Sequence, residues 1–222
     1  MTSFTPTGRT QVRRLPQRGV YDKAQVYAIL DEAFVCHVGF AVEGQTYVIP
    51  TAFVRVGDSV YIHGSAASRM LHRLDEGVDV CVTVTLVDGF VLARAAFHHS
   101  LNYRSVMALG RARLVTDADE KREALRQFTN HVVPGRWDEI RQPDEQELKA
   151  TSVLRLPLEE VSAKVRTGGP RDDEADYALP IWGGVVPIQT QVGEPVADGR
   201  VLPGVATVDR QRFKRARAPA AS

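Results

Sequence analysis

The chain has 222 residues, 44% hydrophobic and 25% charged, with 28 Lys+Arg against 27 Asp+Glu and a formal net charge of +1. Those values exclude a disordered chain, a collagen-like chain and a disulfide-rich secreted scaffold. So even a charge balance offers no global argument for nucleic acid or an anionic membrane surface as partner.

Residues 1–19 are polar and punctuated by Pro6, Gly8, Pro16 and Gly19. They lack the apolar core of a signal peptide, and no later run is long and apolar enough to span a bilayer as a helix. Cys36 and Cys81 sit singly inside Val-rich segments without C-x-x-C spacing, as reduced core cysteines do. A cytoplasmic protein is expected. Asp22 is a candidate N-cap, with Gln25 three residues on, ahead of an apolar stripe at Val26, Ile29, Leu30 and Ala33. That pattern predicts a short amphipathic helix.

Three strand-like runs follow at 34–42, 46–56 and 59–64, separated by tight turns at Glu43-Gly44-Gln45 and Gly57-Asp58. Turns this short require an antiparallel meander. In 78–87, Val78, Val80, Val82, Val84 and Leu86 alternate with Cys81, Thr83 and Thr85, the pattern of a half-buried strand. Asp88-Gly89 reads as the next turn. Residues 90–97 and 106–115 are further strands, with a polar loop at 98–105 between them. Helical spacing returns at 117–131 with Leu125, Phe128 and Val132 on one face, and 151–166 supplies at least one more strand.

Six or seven strands, two substantial helices and no βαβ alternation predict an antiparallel β-barrel with flanking helices. The segment 176–204 is dense in Gly and Pro but keeps Trp182, Val185, Val186 and Ile188, so it is expected to lie on the barrel as an irregular arm. Arg210, Arg212, Lys214, Arg215 and Arg217 then make a basic tail. The expected organisation is an arm at 1–19, a barrel domain at 20–170, an irregular arm at 171–208 and a flexible tail at 209–222.

The most informative stretch for chemistry runs from His63 to Leu71. A strand ending at His63, Gly64 for a sharp turn, Ser65 as N-cap, Ser68 in the first helical turn and Arg69 would together compose a phosphate site. The alternative is an ordinary capped helix with Arg69 in solvent. A second stretch, Ser100 to Val106, carries Asn102, Tyr103 and Ser105, and could reach a phosphate oxygen or cover a planar ligand. A third puts Lys164 and Arg166 on one side of a strand, as a solvated edge or the lining of an anion groove. His98 and His99 are adjacent and point to opposite faces of a strand, so no metal site is expected. No G-x-G-x-x-G follows a strand, and no Ser/His/Asp signature stands out.

Taken in order, HGSAASRM, FHHSLNYRSVMALGRARLV, SAKVRTGGP and IWGGVVPI resemble the flavin-nucleotide-binding, Nim-related branch of the pyridoxamine 5′-phosphate oxidase-like superfamily over roughly residues 12–190. That resemblance implies a mostly β, six-stranded antiparallel split barrel with flanking helices, forming a homodimer with FMN at the subunit interface. It implies that His63, Gly64 and Ser65 border the flavin and that Ser68 and Arg69 hold its phosphate. Pro50, Thr51 and Ala52 would meet the ring edge, Asn102, Tyr103 and Ser105 would close the cleft, and Trp182 would form an aromatic arm. Lys164 and Arg166 match a basic pair near the cofactor. His63 is the candidate catalytic residue, since an imidazole titrates near neutrality.

The implied activity is an FMN-dependent oxidoreductase that passes electrons from NAD(P)H to a small planar acceptor. A non-catalytic flavin- or haem-binding protein and a deazaflavin-dependent reductase are the alternatives. Met70 stands after Arg69, where true pyridoxamine phosphate oxidases carry Arg-Lys, so oxidation of vitamin B6 is not expected.

Overall fold

The computed structural model describes residues 2–66 and 77–213. Seven long strands carry the sheet: β2 (Val35–Val42), β3 (Gln45–Val56), β4 (Ser59–Ser65), β5 (Asp79–Leu92), β6 (Ser100–Arg111), β8 (Thr151–Pro157) and β9 (Glu160–Arg166). Short strands β1 (Gly19–Val20), β7 (Arg113–Leu114) and β10 (Gly184–Pro187) extend it. The order is β1-β9-β6-β5-β2-β3-β4-β8-β7, with β10 on β5. Every pairing is antiparallel.

The split lies in β3. Its first part, to Ala52, pairs with β2, and from Phe53 onward it pairs with β4. One strand thereby bends from one half of the barrel into the other. No ladder joins the two edge strands among the described residues, so the architecture is a split barrel rather than a closed one.

The barrel interior is filled from alternate positions, including Val38, Phe53, Val60, Val82, Val84, Leu154, Leu156 and Val161. Helix α1 (Lys23–Glu32) adds Val26, Ile29 and Leu30 to this core. The Asp22 carboxylate accepts from the Gln25 N–H at 2.9 Å, the cap expected from the sequence. Helix α2 (Ala118–Val132) is capped in the same way by Asp117. It covers the outer side of the second half, where Val54, Tyr61, Val115, Ala124 and Val153 form a separate small core. Helix α3 (Glu145–Ala150) has a capping box between Asp144 and Glu147 and leads directly into β8.

Two expectations are corrected. Asp88-Gly89 is a bulge rather than a turn: β5 runs through to Leu92, and its register against β6 shifts between Val87 and Gly89. Gly89 is required by β10, because a Cβ there would lie 3.0 Å from the Val186 carbonyl oxygen. The loop expected at 98–105 is mostly strand, since β6 begins at Ser100. Strand β4 runs on through Gly64 to Ser65, which lies opposite Thr151. The helix expected beyond it, with Ser68 and Arg69, lies outside the described residues.

The bulge has a partner that the sequence did not suggest. Arg104 on β6 is 2% exposed and donates to both carboxylate oxygens of Asp88, at 2.7 and 2.8 Å. It also donates to both oxygens of Glu32 at the end of α1, one of them at 2.8 Å. A buried guanidinium between two carboxylates ties helix, bulge and central strand together. Removing one partner of such a group strands the others as uncompensated charge, at about 3–5 kcal/mol. Arg104→Met is therefore expected to lower stability by about that much in urea unfolding, and a loss below about 1 kcal/mol would show that the cluster is not structural.

Candidate functional site

Strand pairing decides which residues share the outer face of the sheet. Pro50, His37, Thr83, Met107 and Ser162 are successive cross-strand partners on β3, β2, β5, β6 and β9. Two residues along, Thr85, Ser105 and Lys164 align, and beyond them Val87, Tyr103 and Arg166. Ala52 pairs with Val35 on the same side as Pro50. Strand alternation thus gathers Pro50, Ala52, Tyr103, Ser105, Lys164 and Arg166 on one face, opposite the barrel core.

The remaining candidates divide. Thr51 pairs with the buried Cys36 and belongs to the core side, so only its backbone is available to the outer face. His63 follows Ile62, the partner of Phe53, and therefore ends level with Ala52. Its ring meets Phe128 of α2 edge-on, with 4.2 Å between centroids. Gly64 and Ser65 complete the strand against Ser152 and Thr151. Asn102 is buried, with its Oδ1 accepting from Arg166 Nη1 at 2.5 Å and its Nδ2 donating to the Gly168 carbonyl at 3.1 Å.

Trp182 is 63% exposed on the arm that ends in β10. Its ring lies over Gly184, where a Cβ would come within 2.8 Å of it. The arm is held by Asp172, whose carboxylate accepts from the Arg94 backbone N–H and from Arg94 Nη1 at 3.0 and 3.1 Å. The start of the basic tail is also tethered: Arg212 donates to the Pro134 carbonyl and to Glu139.

The face has a distinct chemistry. At its centre are small or hydroxyl side chains (Gly39, Ala52, Thr83, Thr85 and Ser105) with the exposed His37 among them. Val35 and Val48 beside them are 48% and 64% exposed. Contiguous apolar surface of this kind marks a site of contact rather than a solvated sheet. His37, Thr83 and Met107 were missed as site residues. The signal was available, because in FVCHVGFAV the alternation with Cys36, Val38 and Phe40 already assigns His37 to the outer side.

Burial pushes His63 below its ordinary value of 6.5. In the folded protein the ring is neutral at neutral pH, and as pH falls through 6.5 the unfolded chain takes up a proton that the folded chain resists. Stability from this group is present above that pH and lost below it. Urea midpoints at pH 7.5 and 5.5 should therefore differ more for the wild type than for His63→Leu; equal differences would show that the ring titrates normally.

The sequence profile of the pyridoxamine 5′-phosphate oxidase family matches residues 22–165. The chain belongs to that family. Among solved structures, the flavocytochrome Anf3 from Azotobacter vinelandii is 46% identical, covering 93% of this chain and 96% of its own, with a TM-score of 0.87. The FAD and heme binding protein from Mycobacterium smegmatis is 34% identical over 88% of this chain and 96% of its own, with a TM-score of 0.84. A candidate 5-nitroimidazole antibiotic resistance protein from Bacteroides thetaiotaomicron is 26% identical over 66% and 86%, with a TM-score of 0.55. No curated protein matches the chain. In this member of the pyridoxamine 5′-phosphate oxidase family, the profile ends at 165, so Arg166 and the arm carrying Trp182 lie beyond the matched region.

Proposed function

We propose that the protein binds a flavin on the outer sheet face and uses it to move electrons, with haem as a second redox group. The observation that carries the flavin reading is the gathering of Pro50, Ala52, Tyr103 and Ser105 on one face, with His63 at its margin. A planar ring needs a surface free of long side chains, with a few polar groups placed at its edge. Pro50, Ala52, Thr83 and Thr85 supply the first requirement, and the hydroxyls of Tyr103 and Ser105 the second. The residues present fit the group.

By the family resemblance, His63, Gly64 and Ser65 border the flavin, Ser68 and Arg69 hold its phosphate, and FMN is the expected flavin. The relative named for FAD favours testing the dinucleotide beside it. The bound flavin supplies hydride or single-electron transfer, which the side chains alone do not. The chain's own part is to orient the ring and exclude water. His63 is neutral at neutral pH, so it serves as a hydrogen-bond partner rather than as an ionised acid. NAD(P)H is the proposed electron donor, and a small planar molecule the acceptor.

Haem is favoured by a separate pair of observations. Two relatives that span nearly the whole chain are named a flavocytochrome and a FAD and heme binding protein. In this chain His37 is exposed on the same face, with Val35, Val48 and Pro50 around it. An imidazole in an apolar setting is what a haem iron and macrocycle require.

The same face is proposed to bury against a second copy of the chain. Val35, Val48, Val87 and Phe90 are each more than two-fifths exposed, and a homodimer would cover them.

Purified protein titrated with FMN and with FAD should quench the fluorescence of at least one of them; failure with both sinks the flavin reading. Anaerobic NADPH or NADH should then bleach the flavin bands, and unbleached bands would leave a binding protein that does not accept electrons from these donors. Haemin should give a Soret band that His37→Ala removes; an unaltered band in that variant would place the iron elsewhere. Val48→Glu should turn a dimer into a monomer by sedimentation, and an unchanged mass would move the interface off this face.

A further inference from the structure

Arg166, at the end of β9, is 8% exposed, yet no carboxylate meets it among the described residues. Nη1 donates to Asn102 Oδ1, and both terminal nitrogens point at carbonyl oxygens, of Gly168 at 3.5 Å and Gly169 at 3.4 Å. Its Nε is buried with no partner among the described residues. Every other well-buried guanidinium with a described partner is neutralised: Arg104 by Glu32 and Asp88, Arg94 by Asp172, and Arg55 by Asp31. Arg94 also leaves its Nε unpartnered, but Asp172 balances its charge.

The surroundings of Arg166 add cations instead of removing one. Burial, and then the charges of Arg18 and Arg171, hold its pKa below the ordinary arginine value. Lys164 lies two residues back on the same face, opposite Ser105. Arg18, Lys164 and Arg171 have no carboxylate partner among the described residues either. An unneutralised buried charge is expensive, by several kcal/mol even after relaxation, and the like charges of Arg18 and Arg171 raise the cost.

We infer that Arg18, Lys164, Arg166 and Arg171 form an oxyanion site for a phosphate or carboxylate group of a bound cofactor. Two sources provide such an oxyanion: the paired carboxylates of haem, and the diphosphate of a dinucleotide flavin. The identity of the source rests on the proposed function, whereas the site itself rests only on the unpaired cations.

The test uses the full chain and the double variant Arg18→Gln/Arg171→Gln, with Arg166→Lys as a second variant that keeps the charge but loses Nε. Inorganic pyrophosphate at millimolar concentration should raise the melting temperature of the cofactor-free wild type by several degrees, relative to chloride at equal ionic strength. The double variant should lose that shift and Arg166→Lys should reduce it. A wild type that does not respond, or a double variant that responds as the wild type does, overturns the site. Titrations then separate the sources. At least tenfold weaker FAD binding in the double variant with FMN spared assigns the diphosphate, and at least tenfold weaker haemin binding assigns the carboxylates. Equal loss for FMN, FAD and haemin marks a structural role and also overturns the proposal. A wild type that binds neither flavin nor haemin defeats the proposed function, while the pyrophosphate response still decides the oxyanion site.

Discussion

The guanidinium of Arg104 is the point through which the rest of the barrel is positioned. It reaches Glu32 at the end of α1 and Asp88 at the bulge in β5, from a central place on β6. Each contact constrains a different element. The Glu32 pair holds the helix that seals the barrel core, and the Asp88 pair stabilises the irregularity in β5. Past that bulge the register against β6 moves by one residue, so Asn102 faces Gly89 and Tyr103 faces Val87. A regular ladder would place the polar residues of β6 against different neighbours. The cluster fixes geometry more surely than it adds net stability, since buried ion pairs return little beyond their own desolvation.

That geometry explains why the candidate residues lie on an exposed sheet face rather than in a pocket of one chain. Alternation sends Val38, Val82, Val106 and Val161 inward to the core, and so sends His37, Thr83, Met107 and Ser162 outward. Helix α2 covers this outer side over β4 and β8 but leaves it open over β2, β5 and β6. An open sheet face bearing Val35 and Val48 is costly in water and useful for contact. The edge of α2 meets the open region at His63, which explains how one ring can be both packed on Phe128 and level with Ala52.

Much of this was legible in the sequence because it is local. The Asp22 cap, the meander from 34 to 64 and the alternation of 78–87 depend on neighbours a few residues apart, and each is present. The bulge was not legible. Asp88-Gly89 has the composition of a turn, and only the distant Arg104 and the passage of β10 over Gly89 make it part of a strand. For the same reason 98–105 looked like a loop: its polar residues have partners on β9 and β5 that composition does not reveal. Resemblance to a known family reached Tyr103, Ser105, Lys164 and Arg166 without revealing that pairing brings them together. It also gave no hint of His37, which carries no motif and is distinguished only by the face on which it stands.

The charge balance of the whole chain is the least informative number of all. A net charge of +1 is what remains after segregation, with carboxylates assigned to Arg55, Arg94 and Arg104 and, among the described residues, none to Arg166. Selection for stability alone would supply Arg166 with an acid or replace it by an apolar residue, either of which removes the desolvation cost. Local rules are broken where function asks for it. On this sheet the breaches share one face: an imidazole in open solvent, valines without cover, and the Arg166 guanidinium without a carboxylate among the described residues. A planar ligand and a second protein surface would satisfy the first two, and an anion the last. A single bound assembly spread across β9, β6, β5, β2 and β3 would satisfy all three together.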